Sequence, residues 1–533
     1  MEDTPRVDMA PQTAGLSDDL EKVEQETREY PSSPSHFQRL IDQAGVDAQV
    51  IAHSYPGYGT SQSPFIVDFL PIDARNPRAF SSRKKWTIIF LQALSAFIVA
   101  FVSTAFSGAL PDVIRTFNVS SEVGVLGISL FVLGFAIGPL FWAPLSELFG
   151  RQYVFLSTYT ALVLFNVGAA LAQNIQTLII LRFLAGTVGS APLVNAGAAV
   201  ADLFAPVERG RASILFASAP LLGPSLGPIV SGFLGTRCGW RWVEGLMAIL
   251  TGVIVIICAF SVPETYSPVL LRRRAEKLSS VTGDRYISRF EVDKSEVTAR
   301  SRFRIALSRP WVMLLREPIV LMSAIYIAFI YGTLYMLFPA FPIIFKETRG
   351  WAPEISALAF LGMTIGMALS IAYLLYDQKR YRALTLATGS APPESRLPPA
   401  MIGACFLPVG LFWFAWTNGP EVAWIVPIIA SGVFGAGLVL VFLSLTNYLI
   451  DSYAMYAASA LAASAFMRSV FGAAFPLFAT KMYAGLGIHW ASSVPAFLAL
   501  ACLPFPFLFY RYGSWVRSKC AFSAEILAER SLT

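Results

Sequence analysis

Charge is what this chain has little of. Only 14% of its 533 residues are Asp, Glu, Lys or Arg, where a soluble domain carries about 25%. The deficit is uneven. Residues 1–85 and 263–318 hold many of the charges, and the remainder is nearly all apolar. With 55% hydrophobic residues and a mean hydropathy of +0.59, this distribution excludes a large soluble core and points to a chain that crosses a membrane many times.

Other scarcities narrow the chemistry. The three histidines, His36, His53 and His489, are far apart in sequence, and the five cysteines are scattered. That spacing excludes an evident metal cluster or disulfide framework. No GxxxxGK[ST] stretch occurs, which argues against an ATP-driven pump. No histidine cluster, nucleophile elbow or paired metal carboxylates stand out within the apolar runs, which argues against a membrane enzyme. No apolar segment follows Met1, so no cleavable signal peptide is expected. The net charge of +6 comes without a zinc finger or a basic face interleaved with aromatics. It is assigned to membrane-flanking loops, not to nucleic-acid binding.

A bilayer crossing needs about 20 apolar residues. That ruler predicts twelve helical spans. Six lie near 87–110, 123–144, 153–172, 177–200, 212–235 and 242–262. Six more lie near 320–344, 354–376, 400–417, 422–446, 457–480 and 491–511. The fold class is an all-α polytopic membrane protein of two six-helix halves. Its expected parts are a disordered cytoplasmic tail at 1–85, a first bundle at 86–262, a cytoplasmic linker at 263–318, a second bundle at 319–512 and a cytoplasmic tail at 513–533.

The loops orient this scheme. With the N-terminus inside, Arg83, Lys84, Lys85, Arg151, Arg209, Arg211, the basic central segment, Lys379, Arg380, Arg382, Arg396, Arg511, Arg517 and Lys519 all fall inside. Arg115, Arg237, Arg241, Lys346 and Arg349 are the exceptions. The asymmetry follows the positive-inside rule and places both termini in the cytoplasm.

The stretch GPLFWAPLSELFGRQ (138–152) puts Glu147 and Arg151 between two apolar runs. Two readings stand. The pair, one helical turn apart, bonds to itself or to the ends of neighbouring helices as a conformational latch, with Gly138 and Gly150 allowing close approach. Alternatively it is a topological anchor with a tight turn.

With its preceding residues, GFAIGPLFWAPLSELFGRQ resembles motif A of the major facilitator superfamily, in the form found in twelve-span fungal drug:proton antiporters. The resemblance extends over nearly all of 77–512. NPRAFSSRKKW is similar to that family's entry motif, LIILRFLAGTVGSAP to motif B, and APLLGPSLGPIVSGFLG to motif C. GWRW, PETYSPVLLRRRAEKL and YAASALAASAFMRSVFGAAFPLFATKMYAGLGIHW resemble the same family.

The resemblance implies that Arg182, the motif B arginine, helps couple proton movement to transport; packing against backbone carbonyls is the alternative. An intramembrane charge is by default a functional candidate, and Arg182→Ala is expected to abolish export at intact surface abundance. Motif C (Gly223, Pro224, Gly227, Pro228, Gly232) is implied to bend span 5 at the centre of an antiporter, or is a kinked packing helix. Glu244, Arg468 and Asp451 are further proton-coupling candidates, with Glu244 first because spans 1 and 4 lack the interior acid many proton-coupled relatives have. Asn195, Tyr326, Tyr331, Tyr335 and Asn447 are cavity candidates; for the two asparagines interhelical bonding is favoured, and for the tyrosines packing. Asn118 opens an NVS glycosylation sequon in the first outer loop.

The expected function is secondary active, proton-coupled export of amphipathic organic compounds such as a drug, fungicide or self-made toxin. No cofactor is expected beyond the proton gradient. The expected partners are a small organic substrate and the lipid bilayer, with no nucleic acid and a monomeric chain. The plasma membrane is the expected site, a vacuolar or vesicle membrane the alternative. Uptake of a nutrient or polyamine is the competing transport reading, and a non-transporting sensor the competing class.

Overall fold

The computed structural model describes residues 36–71, 73–204, 208–292, 299–388, 391–520 and 522. Ahead of the membrane region lie α1 (His36–Ile41), α2 (Ala48–Ala52) and β1 (Phe65–Val67). The first half consists of α3 (Ser82–Phe117), α4 (Ser121–Phe149), α5 (Arg151–Ala170), α6 (Ile175–Leu203), α7 (Arg209–Cys238) and α8 (Trp240–Ser261). The linker forms α9 (Ser267–Thr282), β2 (Tyr286–Ser288) and α10 (Ala299–Arg316). The second half consists of α11 (Pro318–Phe341), α12 (Phe360–Thr388), α13 (Pro398–Thr417), α14 (Ile425–Ser452), α15 (Ala457–Cys502) and α16 (Pro504–Lys519).

Local chemistry sets the helix ends. The side chains of Ser81, Ser120 and Asn174 accept the N–H groups of Lys84, Val123 and Thr177 at the starts of α3, α4 and α6. Gly150 (φ 102°) separates α4 from α5 with a backbone that other residues rarely adopt. Asn118, the sequon residue, closes α3 in the left-handed region (φ 50°) and is exposed.

Eleven runs of helix among the described residues are long and apolar enough to cross a membrane. The eleventh, Ala457–Lys519, has 63 residues, roughly 95 Å at ~1.5 Å per residue, three times a hydrocarbon core. It is not one straight rod: the backbone leaves helical geometry at Gly487 (φ 73°, ψ 167°), between the stretches expected as spans 11 and 12. On α8, Ile249, Val253, Ile256 and Phe260 are all exposed along one face. Such a stripe suits lipid, not water.

Two expectations need correction. Residues 36–85 are not a disordered tail; residues 1–35 of that tail lie outside the described residues. β1 pairs in parallel with β2, Phe65 opposite Tyr286 and Val67 opposite Ser288. Val50, Tyr55, Val67, Leu271, Ala275 and Leu278 form a small core of their own. Arg274, almost wholly buried, bonds Asp73 at 2.5 Å and the Ala44 carbonyl at 3.1 Å. The tail's polar composition hid this, because only three of its residues, Val50, Tyr55 and Val67, enter a core completed by Leu271, Ala275 and Leu278 of the linker helix. The second boundary is at 513. α16 continues to Lys519, and buried Arg517 holds Glu394 through three bonds of 2.8–3.0 Å.

The halves meet at several depths. At the face away from the linker Lys481 and Glu122 lie 3.8 Å apart, and a methyl group on Gly232 would come within 2.8 Å of Ala357 Cβ. Deeper in, Thr364 Oγ1 donates to Ser225 Oγ at 3.0 Å, and Ser103 Oγ lies 2.7 Å from the Tyr335 hydroxyl. At the linker face Gly210 abuts the Gln378 amide. Two of the cations expected in outer loops cap carbonyls: Arg349 bonds Val422, Thr417 and Gly419, and Arg241 bonds Ala172. Structural work of this kind accounts for exceptions to the charge rule.

Candidate functional site

Arg182 and Glu244 come together. Arg182 Nη1 lies 2.8 Å from Glu244 Oε1, and both side chains are buried. The rest of the guanidinium stitches α6 to its neighbours. Nε donates to the Gly127 carbonyl of α4 at 2.7 Å, and Nη2 to the Val102 and Ser103 carbonyls of α3 at 3.3 and 3.4 Å. The rings of Phe106 and Phe131 cover its faces. Among the described residues Glu244 Oε2 has no hydrogen-bond partner. Arg182 therefore packs on backbone carbonyls, as the packing alternative expects, and also meets the carboxylate of Glu244.

The motif A pairing is corrected. Glu147 is exposed and forms no ion pair with Arg151 among the described residues. Arg151 turns instead to Ser146 Oγ and to Asp202 at the end of α6, 3.6 Å from its Nε, with its guanidinium over the Tyr266 ring. Glu264, just beyond α8, accepts the N–H groups of Arg151 and Gln152 at the start of α5 at 3.0 and 3.1 Å, and those of Thr265 and Tyr266 at 2.9 Å. A carboxylate at a helix N-terminus meets unsatisfied donors and the positive end of the dipole. Gly150 is required here, since a Cβ would lie 2.2 Å from Glu264 Oε2. Sequence reasoning quoted the PETYSP segment without assigning Glu264; an acid four residues before a helix-starting proline, facing a bare helix start, was the available signal.

Asp451 belongs to the corresponding place in the second half. Its Oδ2 accepts Arg396 Nε at 2.8 Å and the Tyr381 hydroxyl at 3.1 Å. Asp202 ends the fourth helix of the first bundle and Asp451 lies in the last turn of the fourth helix of the second. Each meets an arginine at or just before the start of the third helix. Asp451 thus lies at the end of its helix, bonded to Arg396 and Tyr381 and apart from Arg182 and Glu244.

Motif C lies on α7 against α3. A Cβ at Gly223 would come within 2.6 Å of the Phe97 carbonyl, and one at Gly227 within 2.4 Å of Thr104 Oγ1. Pro228 has no N–H for the Pro224 carbonyl one turn earlier; Thr104 Oγ1 supplies the missing donor at 3.0 Å. One exclusion needs correction: the letters GPSLG (223–227) do match the nucleophile-elbow pattern GxSxG, which needs a strand-to-helix turn. They lie inside a helix, with Ser225 Oγ bonded to the Leu222 carbonyl.

A second polar cluster joins the halves. The Tyr331 hydroxyl donates to that of Tyr335 at 3.4 Å, and Tyr335 contacts Ser103. Arg468 of α15 stacks on Tyr331 and Phe442, its centre 5.0 and 5.2 Å from the ring centroids. Three cavity candidates lie elsewhere or bond differently. Tyr326 faces Phe505. Asn447 bonds the Leu443 carbonyl of its own helix. Asn195 is buried, and among the described residues neither of its amide atoms is hydrogen-bonded. The interhelical bonds expected for the asparagines are absent among the described residues, because Asn447 finds an acceptor one turn away on its own helix.

Comparison with known proteins fits this architecture. Residues 93–476 match the family model of the Major Facilitator Superfamily. The chain is 53% identical over 499 residues to the MFS-type efflux pump MFS2 of Trichophyton rubrum, covering 93% of this chain and 84% of that protein. It is 53% identical over 506 residues to the major facilitator superfamily multidrug transporter mdrA of Aspergillus fumigatus, covering 95% and 83%. It is 51% identical over 477 residues to the major facilitator-type transporter sorT of Penicillium rubens, covering 89% and 91%. The fold resembles that of the proton:xylose symporter XylE bound to 6-bromo-6-deoxy-D-glucose, with a TM-score of 0.59 at 16% identity, over 81% of this chain and 97% of that one. The chain is a multi-pass membrane protein of the Major Facilitator Superfamily and belongs with its fungal efflux pumps.

Proposed function

We infer that the chain exports amphipathic organic compounds by alternating access, driven by proton entry. The observation that carries this reading is the Ser103–Tyr335 contact. A polar cluster bridging two packed halves is where a substrate would be held while the halves rock about it. The relatives' names, efflux pump and multidrug transporter, give the direction. The break at Gly487 supports twelve crossings, both termini in the cytoplasm, and the plasma membrane is the proposed location. The chain acts as a monomer, carries out no bond chemistry and needs no cofactor.

Glu244 is the proposed proton carrier. Protonation removes its charge and with it the main hold on Arg182. Arg182 also bonds the Ser103 carbonyl, whose side chain touches Tyr335. The ion pair is therefore linked through one residue to the contact between the halves, which gives proton binding a route to the substrate cluster.

The test is expression in a pump-deficient host with a panel of labelled compounds, with and without a proton uncoupler. Lower retention of at least one compound, restored by the uncoupler, is expected. Unchanged retention across the panel defeats the export reading, and export that survives the uncoupler defeats proton coupling.

A further inference from the structure

We propose that Arg468 is the recognition site for an acidic group on the substrate, so that the pump prefers amphipathic carboxylates and similar organic anions. The inference rests on the export reading and names its substrate class.

The argument starts from charge balance. Arg468 is the twelfth residue of α15, about 17 Å from its start at ~1.5 Å per residue, and so lies deep in the span. Among the described residues no carboxylate lies within ion-pair distance of it, and its Nε has neither solvent nor a bonding partner. The other deep cation, Arg182, is neutralised by Glu244. Among the described residues Arg468 is therefore a deep positive charge without a neutralising partner, which is costly in low dielectric.

The neighbouring hydroxyls do not neutralise it. Ser103 Oγ gives its single proton to the Ala100 carbonyl at 2.6 Å, so in the 2.7 Å contact Tyr335 is the donor and Ser103 the acceptor. Tyr331 in turn donates to Tyr335. The chain of protons runs away from Arg468 and ends on backbone, and every member is neutral. Arg468 meets Tyr331 and Phe442 through their ring faces, which leaves the in-plane N–H fork of the guanidinium for a planar, bidentate anion. Arg468 is only half-buried, so part of its side chain remains open to a ligand. The same rings supply the apolar surface that an aromatic acid would cover.

The experiment uses the purified full chain and two fluorescent probes of nearly equal size, dansylglycine and its uncharged amide dansylglycinamide. Wild-type protein is expected to bind the acid about tenfold or more tightly than the amide, the size of one charge-assisted contact. Arg468→Gln is expected to abolish that preference while amide binding stays within about twofold, which also shows that the variant is folded. Arg468→Lys, keeping charge but losing the fork, is expected to fall between. Equal wild-type affinity for the two probes, absence of acid binding, or a preference that survives Arg468→Gln overturns the proposal. Export of neutral compounds by the wild type would then leave the export reading standing without it.

Discussion

Arg182 and Glu244 form a buried ion pair whose cation is tied to three backbone carbonyls and whose anion has one oxygen left unbonded. Breaking such a pair by removing one partner typically costs about 3–5 kcal/mol, because the survivor is a buried uncompensated charge. Arg182→Ala and Glu244→Ala are each expected to lower surface abundance and the thermal midpoint. The sequence expectation of intact abundance for Arg182→Ala is revised for this reason. The double variant Arg182→Met with Glu244→Gln should recover much of the stability and none of the export. Thermal melts in detergent beside an export assay read both; a double variant less stable than either single would contradict the pairing.

Glu264 and Asp202, not Glu147, hold the turn between α4 and α5. Glu264→Ala strands four backbone donors. Loss of bonds to a charged acceptor is worth about 1.5–3 kcal/mol, enough to shift a balance between two packed states by tenfold or more. Export by Glu264→Ala and Asp202→Asn should fall at least about tenfold, whereas Glu147→Gln should match wild type. Equal losses for Glu147→Gln and Asp202→Asn would restore the Glu147 reading.

Thr104 completes the hydrogen bonding of α7 at the point where Pro228 removes a donor. Thr104→Val keeps the shape and leaves the Pro224 carbonyl unpaired, at a cost of about 1–3 kcal/mol; Thr104→Ser should be close to neutral. Gly227→Ala acts on the same contact from the other side, since its Cβ would meet Thr104 Oγ1 at 2.4 Å and the Ala105 nitrogen at 2.8 Å. It should lower the thermal midpoint more than Thr104→Val. A midpoint unchanged in Thr104→Val would remove the hydroxyl from the account.

What the sequence makes legible is set by range. Span positions follow from apolar length alone, a local property, and the structure places its helices on every expected span. Arg182 and Glu244 stand out as charges in oil, yet their contact joins helices 62 positions apart and no local signal carries it. Glu147 is the instructive miss. Spacing makes it the natural partner of Arg151, but Gly150 breaks the helix between them, so the one-turn geometry that the pairing needs does not exist. Arg151 then reaches the residues that α6 and the α8 exit bring alongside. The folded segment at 36–85 is harder still, because a small core of six side chains drawn from two distant stretches leaves almost no trace in composition.

The buried Asp73–Arg274 pair holds that cap together, and Arg272 and Arg273 of the same helix donate to the Leu148 and Phe149 carbonyls at the end of α4. Asp73→Asn leaves Arg274 uncompensated, at about 3–5 kcal/mol. It should speed hydrogen exchange at 65–67 and 286–288 while the membrane helices keep their protection. Acid should do the same in the native chain. Burial pushes the Asp42 carboxyl up, but the Gly45 N–H and the charges of Arg75 and Lys277 outweigh it and hold the group below its ordinary value of 3.8. A lowered carboxyl contributes stability that is complete above 3.8 and is lost as the pH falls through the lowered value. Protection at 65–67, measured against intrinsic exchange at each pH, should therefore be flat down to that point and fall below it, and Asp42→Asn should flatten the fall. Protection in Asp73→Asn equal to wild type would mean that the apolar core alone holds the cap.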